Sequence, residues 1–336
     1  MRFGDWLKRP FSGRRPATEN IEELIPALQR RAEGRLSAPW DDIGFALKLL
    51  QQLKRRAPQQ NVFISPAGLA VSLLLLHNGA RGGTRAEIEG FLGLKESRRE
   101  ELNRAVRTLI TEINAVSDID LILANSIWVR EEADLLPDFQ GDARACFEAD
   151  VERADFHSAK TLKRMKEWIV KKTRGKCSAS AGGIDPRSWI SILNSVYFKG
   201  NWLDPFNPKE TRSETFTRTD GTQTQVPMMF HKGYFRFVQG ENFLGVSLPY
   251  RGNRFRMVVF LPQHGCLHEF VKELNPALWN SRKEYFRGAI HFAPVATFGR
   301  GVLAHRPGER TERGRPGRLV EEVGRRAGRV PGISGD

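Results

Sequence analysis

The chain has 336 residues, and 53 Lys and Arg against 39 Asp and Glu give it a formal net charge of +14 at pH 7. Hydrophobic residues make up 40% of the sequence and aromatic residues 10%, enough for a large core, so wholesale disorder is excluded. The longest apolar run, residues 69–77, is much shorter than the roughly 18 to 20 residues of a membrane span, so we expect no span.

Residues 1–39 are rich in Arg, Pro and polar residues, which predicts a flexible basic arm with at most a short helix over residues 20–31. The start of this arm contains no apolar stretch of the kind that a signal peptide needs. We therefore read no export signal, and a cytoplasmic location stays open.

Residues 40–291 have the pattern of a mixed α and β domain. Apolar residues recur at helical spacing in residues 43–53 and 102–113. Residues 61–65, Ile119–Arg130 and many short runs within residues 189–260 are rich in strand-forming types. Because helices come first and strands dominate later, without regular βαβ alternation, the predicted fold class is α+β.

Motifs for catalysis and metal binding are weak. His264, Cys266 and His268 alternate and are zinc-ligand types, but the surrounding Leu-Pro and Gly residues indicate a plain loop. The glycines within residues 79–83 lack the Gly-Lys-Ser/Thr ending of a phosphate-binding loop, so they more simply end one helix and start another. Ser247 is followed by Leu-Pro where a nucleophile elbow needs a helix. We therefore predict no catalytic residue, no metal and no cofactor.

The densest basic cluster lies within residues 160–176, where Glu167 is the only acid. Apolar residues at helical spacing, among them Met165 and Trp168, predict a helix whose outer face is cationic. Such a face suits heparin-like chains, nucleic acid or an anionic surface, whereas the alternative is an ordinary solvated helix face. The candidate polyanion-binding residues are Lys160, Lys163, Arg164, Lys166, Lys171 and Lys172.

The centre of the sequence contains a series of specific blocks in a fixed order. They are Asn-Val-Phe-Ile-Ser-Pro (61–66), Asn-Gly-Ala-Arg-Gly-Gly-Thr (78–84), Ala-Asn-Ser-Ile-Trp-Val (124–129), Leu-Asn-Ser-Val-Tyr-Phe-Lys-Gly-Asn-Trp (193–202), Val-Pro-Met-Met (226–229), Leu-Pro-Tyr-Arg-Gly (248–252) and Met-Val-Val-Phe-Leu-Pro (257–262). Residues 40–291 resemble the serpin family in these blocks and in their spacing.

This resemblance implies a fold of three sheets and eight or nine helices whose native state is metastable. A serpin of the inhibitory kind acts on serine or cysteine proteases as a suicide substrate: an exposed reactive loop is cut and inserts as a new strand into the main sheet. Such an inhibitor needs no catalytic residue or cofactor of its own. The resemblance implies the activity of a serine-type endopeptidase inhibitor and an extracellular location.

The resemblance also suggests roles for three residues. Ser65 and Asn194 match the polar cluster beneath the opening of the main sheet, and Trp202 matches the aromatic residue where the inserting loop enters. Each has a simpler alternative: Ser65 as a helix cap before Pro66, Asn194 as a satisfied strand amide, and Trp202 as a core residue.

The resemblance stops at about residue 291. Residues 293–336 contain nine Arg, nine Gly and four Pro, and no Lys, Tyr, Trp, Met or Cys. We can identify neither a hinge nor a reactive loop there, and we expect a disordered, non-homologous tail over residues 292–336. The serpin-like domain is therefore predicted to be incomplete at its C-terminal end.

A shifted reading frame would explain this tail. Codons for residues 292–298 can be chosen so that reading one base later gives Leu-Pro-Arg-Leu-Arg-Leu, the type of strand that serpins have at this place. The codons were selected for this result, so resequencing the gene is the direct check.

Loss of the strands that follow would open sheet edges and forfeit on the order of 10 kcal/mol. We therefore expect an aggregation-prone chain that forms no stable protease complex. A non-inhibitory polyanion-binding protein and a hydrolase using Ser247 are the alternatives.

Overall fold

The computed structural model describes residues 42–94, 98–177, 184–218, 220–240, 243–262, 267–276 and 288–296. The predicted arm over residues 1–39 lies outside the described residues, and so do His264, Cys266 and residues 297–336 of the predicted tail. The predicted boundary at Phe292 falls inside a described strand that continues to Ala296.

Helices dominate the first half of the described chain, as predicted. The helices are α1 Asp42–Arg56, α2 Pro66–Gly79, α3 Gly82–Leu92, α4 Arg99–Asn114, α5 Pro137–Phe147, α6 Ala159–Lys172 and α7 Leu267–Glu273. None of these described helices combines the length and the apolar character that crossing a lipid bilayer requires. The glycines at the junction of α2 and α3 end one helix and begin the next, as expected.

Strands dominate the second half. The strands are β1 Ile119–Arg130, β2 Ala149–Ala154, β3 Ile190–Gly200, β4 Arg212–Thr217, β5 Gln223–Gln239, β6 Phe243–Pro249, β7 Arg256–Pro262 and β8 Gly288–Ala296. This order of helices followed by strands confirms the α+β class.

The first sheet has the order β2-β1-β3, with β2 parallel and β3 antiparallel to β1. In the second sheet β5 is long enough to pair with β4 along its first part and with β6 along its last part. β7 continues this sheet beyond β6, and β8 pairs with β5. The described residues therefore form one three-stranded and one five-stranded sheet, and the long strand β5 connects the parts of the second sheet.

The prediction of a strand over residues 61–65 is wrong. The backbone is extended at Ser65 (φ −114°, ψ 94°), yet the segment pairs with no strand in the described part of the chain. Apolar, β-branched composition favours an extended backbone, but a strand exists only where a neighbour accepts and donates the ladder hydrogen bonds.

Helix α2 forms the centre of the main core. It begins directly after Ser65, whose Oγ accepts a hydrogen bond from the backbone N–H of Gly68, and Pro66 occupies the first turn, where no N–H is needed. Apolar residues of α2 are buried on most sides because helices α1, α3, α4 and α5 and the strand β3 surround it. Because α2 is buried, the position of its first turn, which approaches β3, is fixed.

Helix α6 packs on the face of the first sheet opposite to α2. Its buried residues Thr161 and Met165 lie against the sheet, and Met165 joins Trp128 of β1 and Phe156 in a second hydrophobic cluster. The cationic helix predicted from the sequence is therefore confirmed, and it covers the three-stranded sheet.

Candidate functional site

The outer edge of β3 is the first feature of the candidate site. β3 pairs with β1 on one side, and within the described residues no strand pairs with its other side. Val196 and Phe198, which follow each other on one face of β3, keep 36% and 41% of their surface exposed. Because an edge strand presents backbone donors and acceptors in a row, it is a template for a further strand.

Beneath this edge lies a polar cluster around Gly68. Asn194 Nδ2 donates to Oδ1 of Asn125 at 2.8 Å, and Asn125 Nδ2 donates to the carbonyl oxygen of Phe147 at 2.9 Å. Asn125 and Asn194 are register partners on β1 and β3. These amides therefore connect β3 and β1 to the end of α5.

Gly68 allows α2 to approach β3 closely. A Cβ at Gly68 would lie 2.3 Å from Oδ1 of Asn194 and 2.9 Å from Cγ2 of Val196. Such distances leave no room for a side chain unless the neighbours move. Oγ of Ser65 lies 3.2 Å from the same Cβ position, so Ser65 and Asn194 both adjoin Gly68, a residue that the resemblance did not single out.

For Ser65 and Asn194, the simpler alternatives account for the hydrogen bonds that the structure shows. Ser65 caps α2, and Asn194 is a hydrogen-bonded strand amide. Their part in sheet opening stays a prediction.

An aromatic cluster lies just beyond the C-terminal end of β3. Trp202 stacks on Tyr250 with ring centroids 4.5 Å apart and planes at 10°, and the two residues form an isolated β-bridge. Phe206 meets Trp202 edge-on at 5.9 Å, and Phe198 of β3 meets Tyr250 at 4.9 Å. Trp202 is half-buried at the end of the open edge, and its role in receiving an inserting loop stays a prediction.

The basic residues of α6 and the turn after it fall into two rows. The outer row, which faces solvent, consists of Lys160, Lys163, Lys166 and Lys171. The inner row, which faces the sheet, consists of Arg164, Lys172 and Arg174. Because two of the six predicted polyanion-binding residues, Arg164 and Lys172, belong to the inner row, the structure does not bring all six onto one free surface.

Each inner-row residue forms an ion pair with a carboxylate of the first sheet. Arg164 pairs with Glu152 of β2, and Lys172 Nζ lies 3.1 Å from Oδ2 of Asp150 on the same strand. Arg174 Nη1 lies 2.8 Å from Oδ2 of Asp120 on β1. The inner row therefore attaches α6 to both strands beneath it.

Asp150 has a second donor, because Trp168 Nε1 donates to its Oδ2 at 2.7 Å. Burial acts to raise the pKa of this carboxyl, but the hydrogen bonds from Trp168 and Lys172 and the charges of Lys172 and Lys171 outweigh it. The pKa of Asp150 is therefore lowered, so the carboxylate is charged at neutral pH.

The hydrolase alternative has no site in the described residues. Ser247 lies inside β6 and is 3% exposed, with Val258 and Arg236 as its register partners. In the part of the chain that the structure describes, no three His, Cys, Asp or Glu side chains are grouped to hold a metal ion. His264 and Cys266 lie outside the described residues.

Sequence reasoning missed Asn125 and Gly68. Asn125 stands in an otherwise apolar strand, and a polar side chain there indicates a buried hydrogen-bond partner. Gly68 follows a Ser-Pro helix start, and nothing in the sequence shows that another strand approaches it.

The architecture of the described residues defines a class: an α+β protein whose three-stranded sheet has helices on both of its faces and an edge with which no described strand pairs. The sequence model described as Serpin (serine protease inhibitor) matches residues 42–291, and the chain belongs to this family.

Serpin B6 of Macaca fascicularis is 32% identical over 239 residues, which cover 68% of this chain and 63% of that protein. The plasma serine protease inhibitor of Homo sapiens is 30% identical over 258 residues, covering 74% of this chain and 63% of that protein. This chain therefore spans less than two thirds of the length of these relatives.

The crystal structure of cleaved kallistatin complexed with heparin has the same fold, with a TM-score of 0.72 and 20% sequence identity. The match covers 76% of this chain and 78% of that one.

Proposed function

We propose that the described domain is the strand-accepting body of a serpin that inhibits serine-type endopeptidases. The observation that carries the proposal is the open outer edge of β3, which continues at its end into the aromatic cluster around Trp202. Relatives named as serine protease inhibitors support the same activity.

In the proposed mechanism the domain supplies a sheet and the target protease supplies the chemistry. The protease serine attacks the bait carbonyl of a reactive loop and forms an acyl-enzyme ester, and the severed loop then adds to the sheet. Backbone N–H and C=O groups on the outer edge of β3 pair with the inserted strand. Asn125 and Asn194 hold β1 and β3 in register while the neighbouring space opens.

The reactive loop is the part of this mechanism that residues 42–291 do not supply. We expect that the 336-residue chain alone forms no covalent complex, because no hinge or bait sequence can be recognised in residues 292–336. The proposal requires that a suitable C-terminal segment restores inhibition.

A chimera tests this directly. Residues 1–287 of this chain are joined to the corresponding C-terminal segment of the human plasma serine protease inhibitor, and the product is incubated with a trypsin-like protease. We expect a complex that survives boiling in detergent with the chimera, and none with the original chain or with an active-site-blocked protease. A chimera that is only cleaved, without a stable complex, would contradict the proposal.

The name of the human plasma serine protease inhibitor, one of the relatives, supports an extracellular location as part of this proposal. Secretion of the natural protein from its own cells, followed with an antibody, is the measurement that decides between this location and the cytoplasmic alternative.

Polyanion binding is a second candidate function, which the outer row of α6 favours. All four lysines of the outer row are exposed, and residues 160–171 span about 16 Å along the helix. A neighbour in structure, cleaved kallistatin, was crystallised with heparin. A linear polyanion lying along α6 is therefore a partner of suitable length and charge.

Removing the outer row gives a test with a matched control. We expect that replacing Lys160, Lys163, Lys166 and Lys171 by Gln lowers heparin affinity. The slope of log K against the logarithm of the salt concentration should become shallower by about 0.7 per lysine, the value for single-stranded polyanions. The control replaces four exposed lysines elsewhere with Gln, namely Lys48, Lys199, Lys209 and Lys272. Equal losses in both variants would show that only the net charge matters.

A further inference from the structure

We infer that the inner row of α6 is an electrostatic clasp that holds this helix on the three-stranded sheet. The helix lies across the face of the sheet whose outer edge accepts a strand in the proposed mechanism. The existence of the clasp does not depend on the proposed function, and only its part in strand insertion rests on it.

Each ion pair of the clasp is reinforced by an aromatic ring. The guanidinium carbon of Arg164 lies 5.2 Å from the ring centre of Trp128, and that of Arg174 lies 5.5 Å from the ring centre of Tyr197. Lys172 Nζ lies 5.7 Å from the ring centre of Trp168. These distances are within the range of cation–π attraction, so each cation has an anionic and an aromatic partner.

The clasp joins the helix and the turn after it to all three strands of the first sheet. Asp150 and Glu152 are two residues apart on β2 and therefore project on the same face of the sheet. Asp120 and Tyr197 belong to β1 and β3, so Arg174 ties the turn after α6 to both of these strands. Release of α6 from the sheet must break all of these contacts.

Apolar packing under α6 is limited, which makes the polar contacts important for its attachment. Thr161 and Met165 are the buried residues of the helix, while Leu162 and Trp168 are partly buried. The carboxylates of the clasp are partly exposed, with Asp150 at 45% and Asp120 at 41% of their side-chain surface. Salt ions therefore reach these pairs and weaken them.

Amide hydrogen exchange of the full chain measures the clasp. We expect that the variant Asp150→Asn, which keeps the shape of the side chain and removes its charge, accelerates exchange of the α6 amides about three-fold. The triple variant Asp120→Asn, Asp150→Asn, Glu152→Gln is expected to accelerate it about 30-fold, because three independent three-fold effects multiply. Raising the salt from low to high concentration should accelerate α6 exchange in the original chain and have little further effect in the triple variant.

The matched control is Glu167→Gln, which removes a carboxylate from the same helix. Glu167 lies 3.9 Å from Lys163 on the exposed side of the helix, and it is not the carboxylate partner of Arg164, Lys172 or Arg174. We expect less than a two-fold change in α6 exchange from this variant. Amides of β1 report global opening in the same experiment.

Three outcomes would overturn the clasp. They are equal effects of Asp150→Asn and Glu167→Gln, equal acceleration in α6 and β1, and salt-independent exchange of α6 in the original chain. A chimera that fails to inhibit proteases, with α6 exchange as expected here, would count against the proposed function alone.

Discussion

Replacing Trp128 by alanine is expected to lower the free energy of unfolding by about 3–5 kcal/mol, the range for deleting a buried aromatic side chain. Trp128 is 2% exposed and forms the centre of the cluster that contains Met165 and Phe156. Its Nε1 donates to Oγ of Ser126 at 2.9 Å, so the variant also leaves a buried hydroxyl without this donor. The variant also removes the apolar contact of α6 with Trp128 through Met165 and the ring that lies beneath Arg164.

Urea unfolding followed by circular dichroism measures this loss, and Trp189→Ala is its control. Trp189 precedes the same sheet but is 50% exposed, and Arg130 lies over its ring at 5.0 Å. We expect the control to cost less than about 1 kcal/mol. Similar midpoints for both variants would show that the cluster under α6 does not stabilise the protein.

The second large effect is expected from Asn125→Ala. Asn125 is 1% exposed, and the variant removes both the acceptor of Asn194 Nδ2 and the donor to the carbonyl oxygen of Phe147. Each buried polar group that is left without a partner costs about 1–3 kcal/mol, and Asn194 Nδ2 keeps the carbonyl oxygen of Ala124 at 3.4 Å, so we expect a loss of about 2–4 kcal/mol.

The control is Asn114→Ala at the end of α4, where an exposed Asn donates to Glu148 at 3.3 Å. Its expected cost in urea unfolding is below about 0.5 kcal/mol. If Asn125→Ala cost no more than this, water would have to replace both hydrogen bonds, and the amide link between β1 and β3 would lose its proposed importance.

The sequence predicted the parts of the fold that depend on local patterns. The bounds of β1 agree at both ends with the predicted run Ile119–Arg130, because eight of its twelve residues are apolar and polar turn residues flank it. The cationic helix α6 was equally clear from its spacing. Family resemblance assigned Ser65 and Asn194 to one polar cluster, and both adjoin Gly68 in the structure, while their role in sheet opening stays a prediction.

Contacts that depend on tertiary arrangement were not predictable. The sequence of α6 does not show that Arg164 and Lys172 meet carboxylates, since this depends on the position of β2 under the helix. Residues 61–65 have the composition of a strand, but no described strand pairs with them. The frameshift origin of residues 292–336 stays a prediction, and resequencing the gene is its check.

The two rows of α6 differ in chemistry as well as in position. The outer row consists entirely of lysines, whereas two of the three inner-row residues are arginines. Amine-directed modification, such as acetylation, removes charge from lysine and leaves guanidinium groups unchanged. Acetylation of this chain would therefore neutralise the outer row, while Arg164 and Arg174 kept their charges and two of the three ion pairs of the clasp.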